Sequence, residues 1–232
     1  MLNRATQALV FPLGDRECLT KIAIGGGIGL LLETLFVAVS FLLTREFSLG
    51  GSLLAQAANF PALGFVLATF EGALAHPQTD SLPPWKPWSN LCVKGLFLFA
   101  LTLAHEIVPA LFVISGFGLL VKAGTRLVLG IVLIMVGMLA GITAGFFLPM
   151  GVARYLSERR LEAALHPAIV WLRIRKVLTE YVEAYLLSLG SLIIAGLIGA
   201  IPILGLLLWP FVTFYLFVAG ARLFGGICSS VG

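Results

Sequence analysis

The sequence predicts an all-α, polytopic transmembrane helical bundle of about six spans, five if one weak stretch does not cross, with one cytoplasmic amphipathic surface helix. Three observations carry this prediction. Hydrophobic residues make up 59% of the 232 positions, charged residues 11%, and mean hydropathy is +1.06. A soluble globular domain carries about 25% charged and 45–50% apolar residues. The apolar residues fall into runs near the ~20 residues that an α-helix needs to cross a bilayer. Basic residues flank these runs, where they set membrane orientation and meet anionic headgroups. The same composition excludes disordered, collagenous and disulfide-framed classes, and the length leaves no expected room for an appended soluble domain.

The elements follow in chain order as one integral membrane domain over 1–232. Residues 1–21 mix charge with a short apolar patch and read as an interfacial lead-in broken at Pro12-Leu13-Gly14. The first span, 22–43, exceeds the 7–15 apolar residues of a signal-peptide core and carries Glu33 at its middle, so it reads as a retained anchor. The stretch 52–74 is weakest, because Gln56, Asn59, Pro61 and Glu71 interrupt it. It is left open whether it crosses, re-enters or lies along the interface. In the polar loop that follows, prolines forbid helix, and Trp85 and Trp88 suit the headgroup level. The third span, 95–121, contains His105-Glu106, and the fourth covers 127–148.

The surface helix is expected over 152–182. Pro167 suits the first turn of a helix, where its missing N–H costs nothing. Arg173, Lys176, Glu180 and Glu183 recur at helical spacing opposite Ile169, Val170, Leu172, Val177 and Leu178, the pattern of a helix lying on a membrane. Its basic face comprises Arg154, Arg159, Arg160, Arg173 and Lys176. Glu158 and Glu162 share a helix face within reach of Arg154 and Arg159 and read as a solvated, salt-bridged surface. The last apolar region is too long for one helix and is divided at Ala200-Ile201-Pro202 into spans 183–200 and 203–224.

Six spans put Arg45, Lys122 and Arg126 on one side and the other twelve of the 15 basic residues on the opposite side. If 52–74 does not cross, the split is ten against five. Both arrangements leave the surface helix and C-terminus in the cytoplasm, and the six-span one also puts the N-terminus inside. It further places Cys18, Cys92 and Cys228 in the reducing compartment, where they stay free thiols. They form no CxxC, so a zinc or redox site is not expected.

The chain resembles the uncharacterised membrane family catalogued as domain of unknown function 4013, found in bacteria and archaea. The likeness is spread along nearly the whole length. An aromatic-proline opening leads into a glycine-rich span (FPLGDRECLTKIAIGG). A Pro-Leu-Pro-x-Trp type loop stands as Ser81-Leu82-Pro83-Pro84-Trp85, followed by Trp88 and Gly95. Leu148-Pro149-Met150 leads into Ala153-Arg154-Tyr155, Tyr181 precedes the paired final spans, and Leu223-Phe224-Gly225-Gly226 closes the last one. Where relatives commonly carry acidic residues beside the loop tryptophan, Lys86 and Pro87 stand here. The resemblance implies a helical membrane fold and supplies no catalytic residue.

Glu33 and Glu106 are the sharpest chemical signals. An ionisable group near mid-bilayer costs at least ~2.5–3.5 kcal/mol, so each should face the bundle interior and find a partner. They read as carboxyls kept neutral by desolvation and bonded to a neighbouring helix, or alternatively as a proton or cation relay. His105 is a candidate axial ligand for a tetrapyrrole, though no cofactor is required by the sequence. Adjacent helical residues point about 100° apart, so His105 and Glu106 need not act together. Gly137, Gly141 and Gly145, with Gly130 on the same face, form a stripe that admits close helix approach; packing within the chain is the expected use. Ser188, Ser191, Ala195 and Gly199 draw a similar stripe, and Gly25 with Gly29 a weaker one.

No HExxH, GxSxG, P-loop or dinucleotide fingerprint is present, so an enzyme is not expected. The first expectation is a non-enzymatic accessory, assembly or scaffold subunit of a larger membrane complex, with membrane lipids and other membrane subunits as partners and no nucleic acid. The second is a small proton- or cation-coupled transporter using Glu33 and Glu106. The third is a pigment- or haem-binding subunit using His105. The expected location is a prokaryotic cytoplasmic membrane, or a thylakoid-type membrane in a photosynthetic host.

Overall fold

An apolar chain in a bilayer must satisfy its own backbone hydrogen bonds, and helices do so within one segment. The computed structural model describes residues 10–44, 59–78, 81–120, 126–199, 201 and 204–231. A 3₁₀ turn, Phe11–Gly14, leads into α1 (Cys18–Thr44), followed by α2 (Phe60–Ala75), α3 (Trp88–Leu120) and α4 (Leu127–Glu158). Two short helices, α5 (Leu161–Leu165) and α6 (Pro167–Ile174), and a 3₁₀ turn (Arg175–Val177) precede α7 (Leu178–Gly199) and α8 (Leu204–Ser229). Five stretches are long and apolar enough to cross a membrane: Cys18–Phe36, Trp88–Leu120, Leu127–Glu158, Pro167–Gly199 and Leu207–Ser229. α2 is apolar but has 16 residues, about 24 Å of helix, short of the ~30 Å hydrocarbon core.

The chain forms two compact units, 1–99 with 177–232, and 100–176. In the first, α8 is the central element and packs against α1, α2 and α7. Its core joins Phe11, Phe65, Leu82, Trp85, Leu91, Phe214 and Val218. The Trp85 ring stacks on Phe65 at 4.6 Å between centroids and lies 6.0 Å from Phe214. Its Nε1–H donates to the Lys21 carbonyl at 3.2 Å, which gives the indole its polar partner.

Polar groups close the same end. Lys21 Nζ donates to the Asp15 carboxylate at 2.9 Å and to the Leu82 carbonyl at 3.1 Å, while Asp15 accepts the Leu82 N–H at 2.9 Å. The Arg222 guanidinium lies 4.8 Å over the Phe11 ring and donates to the Pro77 carbonyl at 2.6 Å. The start of α1, the loop before α3 and the last turns of α8 are thereby held together. Where α2 meets the start of α3, the Leu91 carbonyl occupies the space of a Cβ on Gly64, and the Phe60 carbonyl that of a Cβ on Gly95.

In the second unit, the later part of α3 and α4 run antiparallel. Gly116 faces Gly130, and Gly137 faces Pro109 and Val113. α5 and α6 fold back along α4.

Several expectations change. Within the lead-in, Phe11 and Pro12 are buried in the first unit while Leu13, Gly14, Arg16 and Glu17 are exposed; residues 1–9 of that expectation lie outside the described residues. Trp85 is buried in the core of the first unit, where stacking on Phe65 and the Lys21 carbonyl satisfy both ends of the indole. The 152–182 segment is not one surface helix. α4 continues to Glu158, Arg159 takes a left-handed conformation (φ 53°), His166 is extended, and Pro167 opens a new helix. In the stretch 52–74, helix is found from Phe60, with Asn59 as its cap; residues 52–58 lie outside the described residues, as do Ala200 and Pro202 of the expected break.

Two outcomes follow for stability in detergent. Gly64→Ala or Gly95→Ala puts a methyl on a backbone carbonyl and should cost about 2–3 kcal/mol. Gly72→Ala, with nothing within 4 Å of its Cβ position, should leave the thermal midpoint unchanged or raised. Equal losses at the three positions would refute the glycine crossing. Burial pushes the Asp15 carboxyl up, but the Lys21 hydrogen bond, the Glu17 and Leu82 N–H groups and the Lys21 charge together outweigh it and hold it below its ordinary 3.8. Its contribution is therefore complete above pH 3.8 and lost as pH falls through the lowered folded value. Asp15→Asn should cost about 1.5–3 kcal/mol at neutral pH, and the difference from the parent protein should shrink as the medium is acidified into that window. A pH-independent difference would contradict the assignment.

Candidate functional site

Glu33 lies two turns beyond Gly25 and Gly26, which meet Phe214 and Phe211 of α8, so helical periodicity puts it on the same face of α1. It is 4% exposed, and its Oε2 is buried without a hydrogen-bond partner among the described residues. An orphaned polar atom of this kind costs about 1–3 kcal/mol. The expected interior position is present; the expected hydrogen bond at that oxygen is not.

Glu106 belongs to the second unit. Its Oε2 lies 3.2 Å from the position of a Cβ on Gly141. The missing side chain in the α4 stripe thus leaves space that the carboxyl occupies. His105 turns elsewhere: Nδ1 is 2.9 Å from the Leu101 carbonyl, an acceptor, so Nδ1 carries the proton. Nε2, the atom a metal would bind, lies 3.7 Å from the Cβ position of Gly151. Neighbours in sequence, His105 and Glu106 meet α4 ten residues apart, about 15 Å along its axis.

The glycine stripe has a clear partner for three of its members. Gly130 lies against Gly116, Gly137 against Val113 and Pro109, and Gly141 against Glu106 and Pro109. Gly145 is half-buried. The seam is thus within the chain.

Arg154 departs from the expected exposed basic face. It is buried, with Nε and Nη2 donating to Glu158 Oε1 at 3.1 and 2.8 Å and Nη1 to the Ala163 carbonyl at 2.7 Å. The reversal after Arg159 carries α5 back over α4 and delivers that carbonyl. Arg173 Nη2 reaches the same Glu158 oxygen at 3.4 Å, and Arg160 pairs with Glu162 at 2.9 Å. Arg159 and Lys176 are exposed.

Sequence reasoning gave no role to Asp15 and Lys21, and took Asn59 for an interruption. Asn59 accepts the Ala62 N–H at 3.3 Å and donates to the Gly25 carbonyl at 3.4 Å. The signal was available: Asn two residues before a proline is an N-cap followed by a proline in the first turn. Among the described residues no group of three or more His, Cys, Asp or Glu could hold a metal ion.

No curated protein and no solved structure matches the chain. A family model described as "Protein of unknown function (DUF4013)" matches residues 49–204, about two thirds of the sequence. That interval contains the Pro-Pro-Trp loop, whose Leu82 and Trp85 enter the core, and Ala153-Arg154-Tyr155, whose arginine holds the turn after α4. The match covers more than half of the chain, which therefore belongs to the DUF4013 family of proteins of unknown function.

Proposed function

We propose that this protein is a non-enzymatic accessory or assembly subunit of a larger membrane complex, with the helix pair of its second unit as the part that meets other subunits. One observation carries this reading. Only 11% of the most apolar stretch of α3, of α4 and of the Pro167–Gly199 segment is buried, against 50% in α8, and of these only α3 and α4 form a pair within the second unit. The pair spends its glycine seam on itself and leaves long apolar faces uncovered. Met135 and Met138 lie exposed on α4, and such unbranched, polarizable side chains adapt to irregular partners. In this reading the termini and the loop before α3 face the cytoplasm of a prokaryotic cell, or the equivalent side of a thylakoid-type membrane. The joining of Asp15, Lys21 and Leu82 at one end of the first unit supports an α2 that returns to the side where α1 starts.

Gentle extraction from native membranes, with size-exclusion and mass spectrometry of the same peak, should return a defined complex. Replacing Met135 and Met138 by Trp should release the subunit from it without lowering its thermal midpoint in detergent. A lone monomer from native membranes would sink the proposal.

A second reading rests on the orphaned Glu33 oxygen, which supports a proton- or cation-coupled pathway through the first unit. In that case Glu33→Gln should abolish proton-coupled flux in reconstituted vesicles while preserving the fold. Flux that persists unchanged would count against it.

A further inference from the structure

Between Arg154 and Lys176 the chain carries six Arg or Lys against two Glu, a surplus of four that equals the net charge of the whole protein. The other nine cations and nine carboxylates cancel. Folding then decides which of the six are available. Arg154 and Arg173 share Glu158, and Arg160 has Glu162. Arg175 and Lys176 are exposed, and neither side chain has an ion pair or hydrogen bond among the described residues.

The depth of this free pair is set by α6. Val170 and Ile174, one turn apart, are buried, while Ile169, Trp171 and Leu172 are exposed. The Trp171 ring lies 6.3 Å from Phe147, which belongs to the apolar run of α4. An exposed indole against a residue of a membrane span suits the water–hydrocarbon boundary, where its apolar body and polar edge are both satisfied. Arg175 and Lys176 follow within the next turn, which on that placement brings them to the headgroups.

We propose that α6 and the turn after it form a binding site for anionic phospholipid. Ile169, Trp171 and Leu172 enter the acyl boundary, and Arg175 with Lys176 takes the headgroup phosphate. Charge complementarity selects this occupant: unpaired cations beside exposed apolar side chains suit an amphiphile with a negative head, and the attraction is strong only near the surface. The first unit carries seven Arg or Lys against eight Asp or Glu, so the positive surplus belongs to the second unit, which contains this segment.

The test is native mass spectrometry of the detergent-solubilised full chain with dioleoyl phosphatidylglycerol or dioleoyl phosphatidylcholine. Phosphatidylglycerol should bind in preference, and the Arg175→Gln/Lys176→Gln variant should lose about fivefold in affinity for each charge removed. The Arg175→Lys/Lys176→Arg variant should retain binding, which separates charge from folding. Arg16→Gln/Lys86→Gln, which removes two exposed cations from the first unit, should bind as the parent does. Equal binding of the two lipids, an unaffected Arg175→Gln/Lys176→Gln variant, or an equal loss in Arg16→Gln/Lys86→Gln would overturn the proposal. Displacement of the lipid by inorganic phosphate at matched ionic strength would show a site for the free anion and would overturn it as well.

Discussion

A lysine ammonium near the top of an apolar helix has to find oxygen atoms, and Lys21 finds them in Asp15 and the Leu82 carbonyl. This constraint organises the first unit. Asp15 lies just before α1 and Leu82 in the loop before α3, so satisfying one charge fixes the start of a span against a segment more than sixty residues later. The carbonyl of the same Lys21 takes the Trp85 N–H, and the indole is thereby held over Phe65 and Phe214. Without that polar anchor, a proline-rich loop has no reason to enter a bundle; with it, the loop becomes part of the core. Arg222 adds the end of α8 to the same assembly through Phe11 and the Pro77 carbonyl.

The second unit is built by a different rule. Inside a bilayer, burying apolar surface gives helices no reason to associate, so close van der Waals approach must supply it. Gly116, Gly130 and Gly137 provide that approach. Gly141 lets the carboxyl of Glu106 lie against α4, so one stripe both brings two helices together and houses a polar group that lipid would reject. At the end of α4 the electrostatics change character. Glu158 gathers Arg154 and Arg173, which locks the chain reversal and leaves the surplus charge further along, at Arg175 and Lys176.

The two mid-helix carboxylates that look alike in sequence have different environments: Glu33 is buried and Glu106 is half-buried. Glu106 has a glycine slot, while Glu33 has one oxygen without a hydrogen-bond partner among the described residues. That asymmetry arises from the partner helix in each case: small residues face Glu106, whereas phenylalanine rings line the α8 side of α1. His105 meets the carbonyl one turn before it on its own helix through Nδ1.

Composition and periodicity alone determined the helical class of this protein, because a bilayer demands long apolar runs and tolerates few charges within them; the helix bounds were less legible, since α3 begins at Trp88 rather than 95 and α4 runs on to Glu158 rather than ending at 148. The glycine stripe and the helix-opening role of Pro167 were legible for the same reason: each is a local consequence of side-chain size or a missing N–H. The continuity of 152–182 was not legible, since amphipathic spacing persists across the Arg159 and His166 breaks. Nor could the sequence place Trp85, Phe11 or Arg154 inside, because residues of those kinds equally suit a membrane surface. Only tertiary structure brought the Lys21 carbonyl, the Arg222 guanidinium and the Ala163 carbonyl to them, and a polar or amphipathic group is buried only where such a partner arrives.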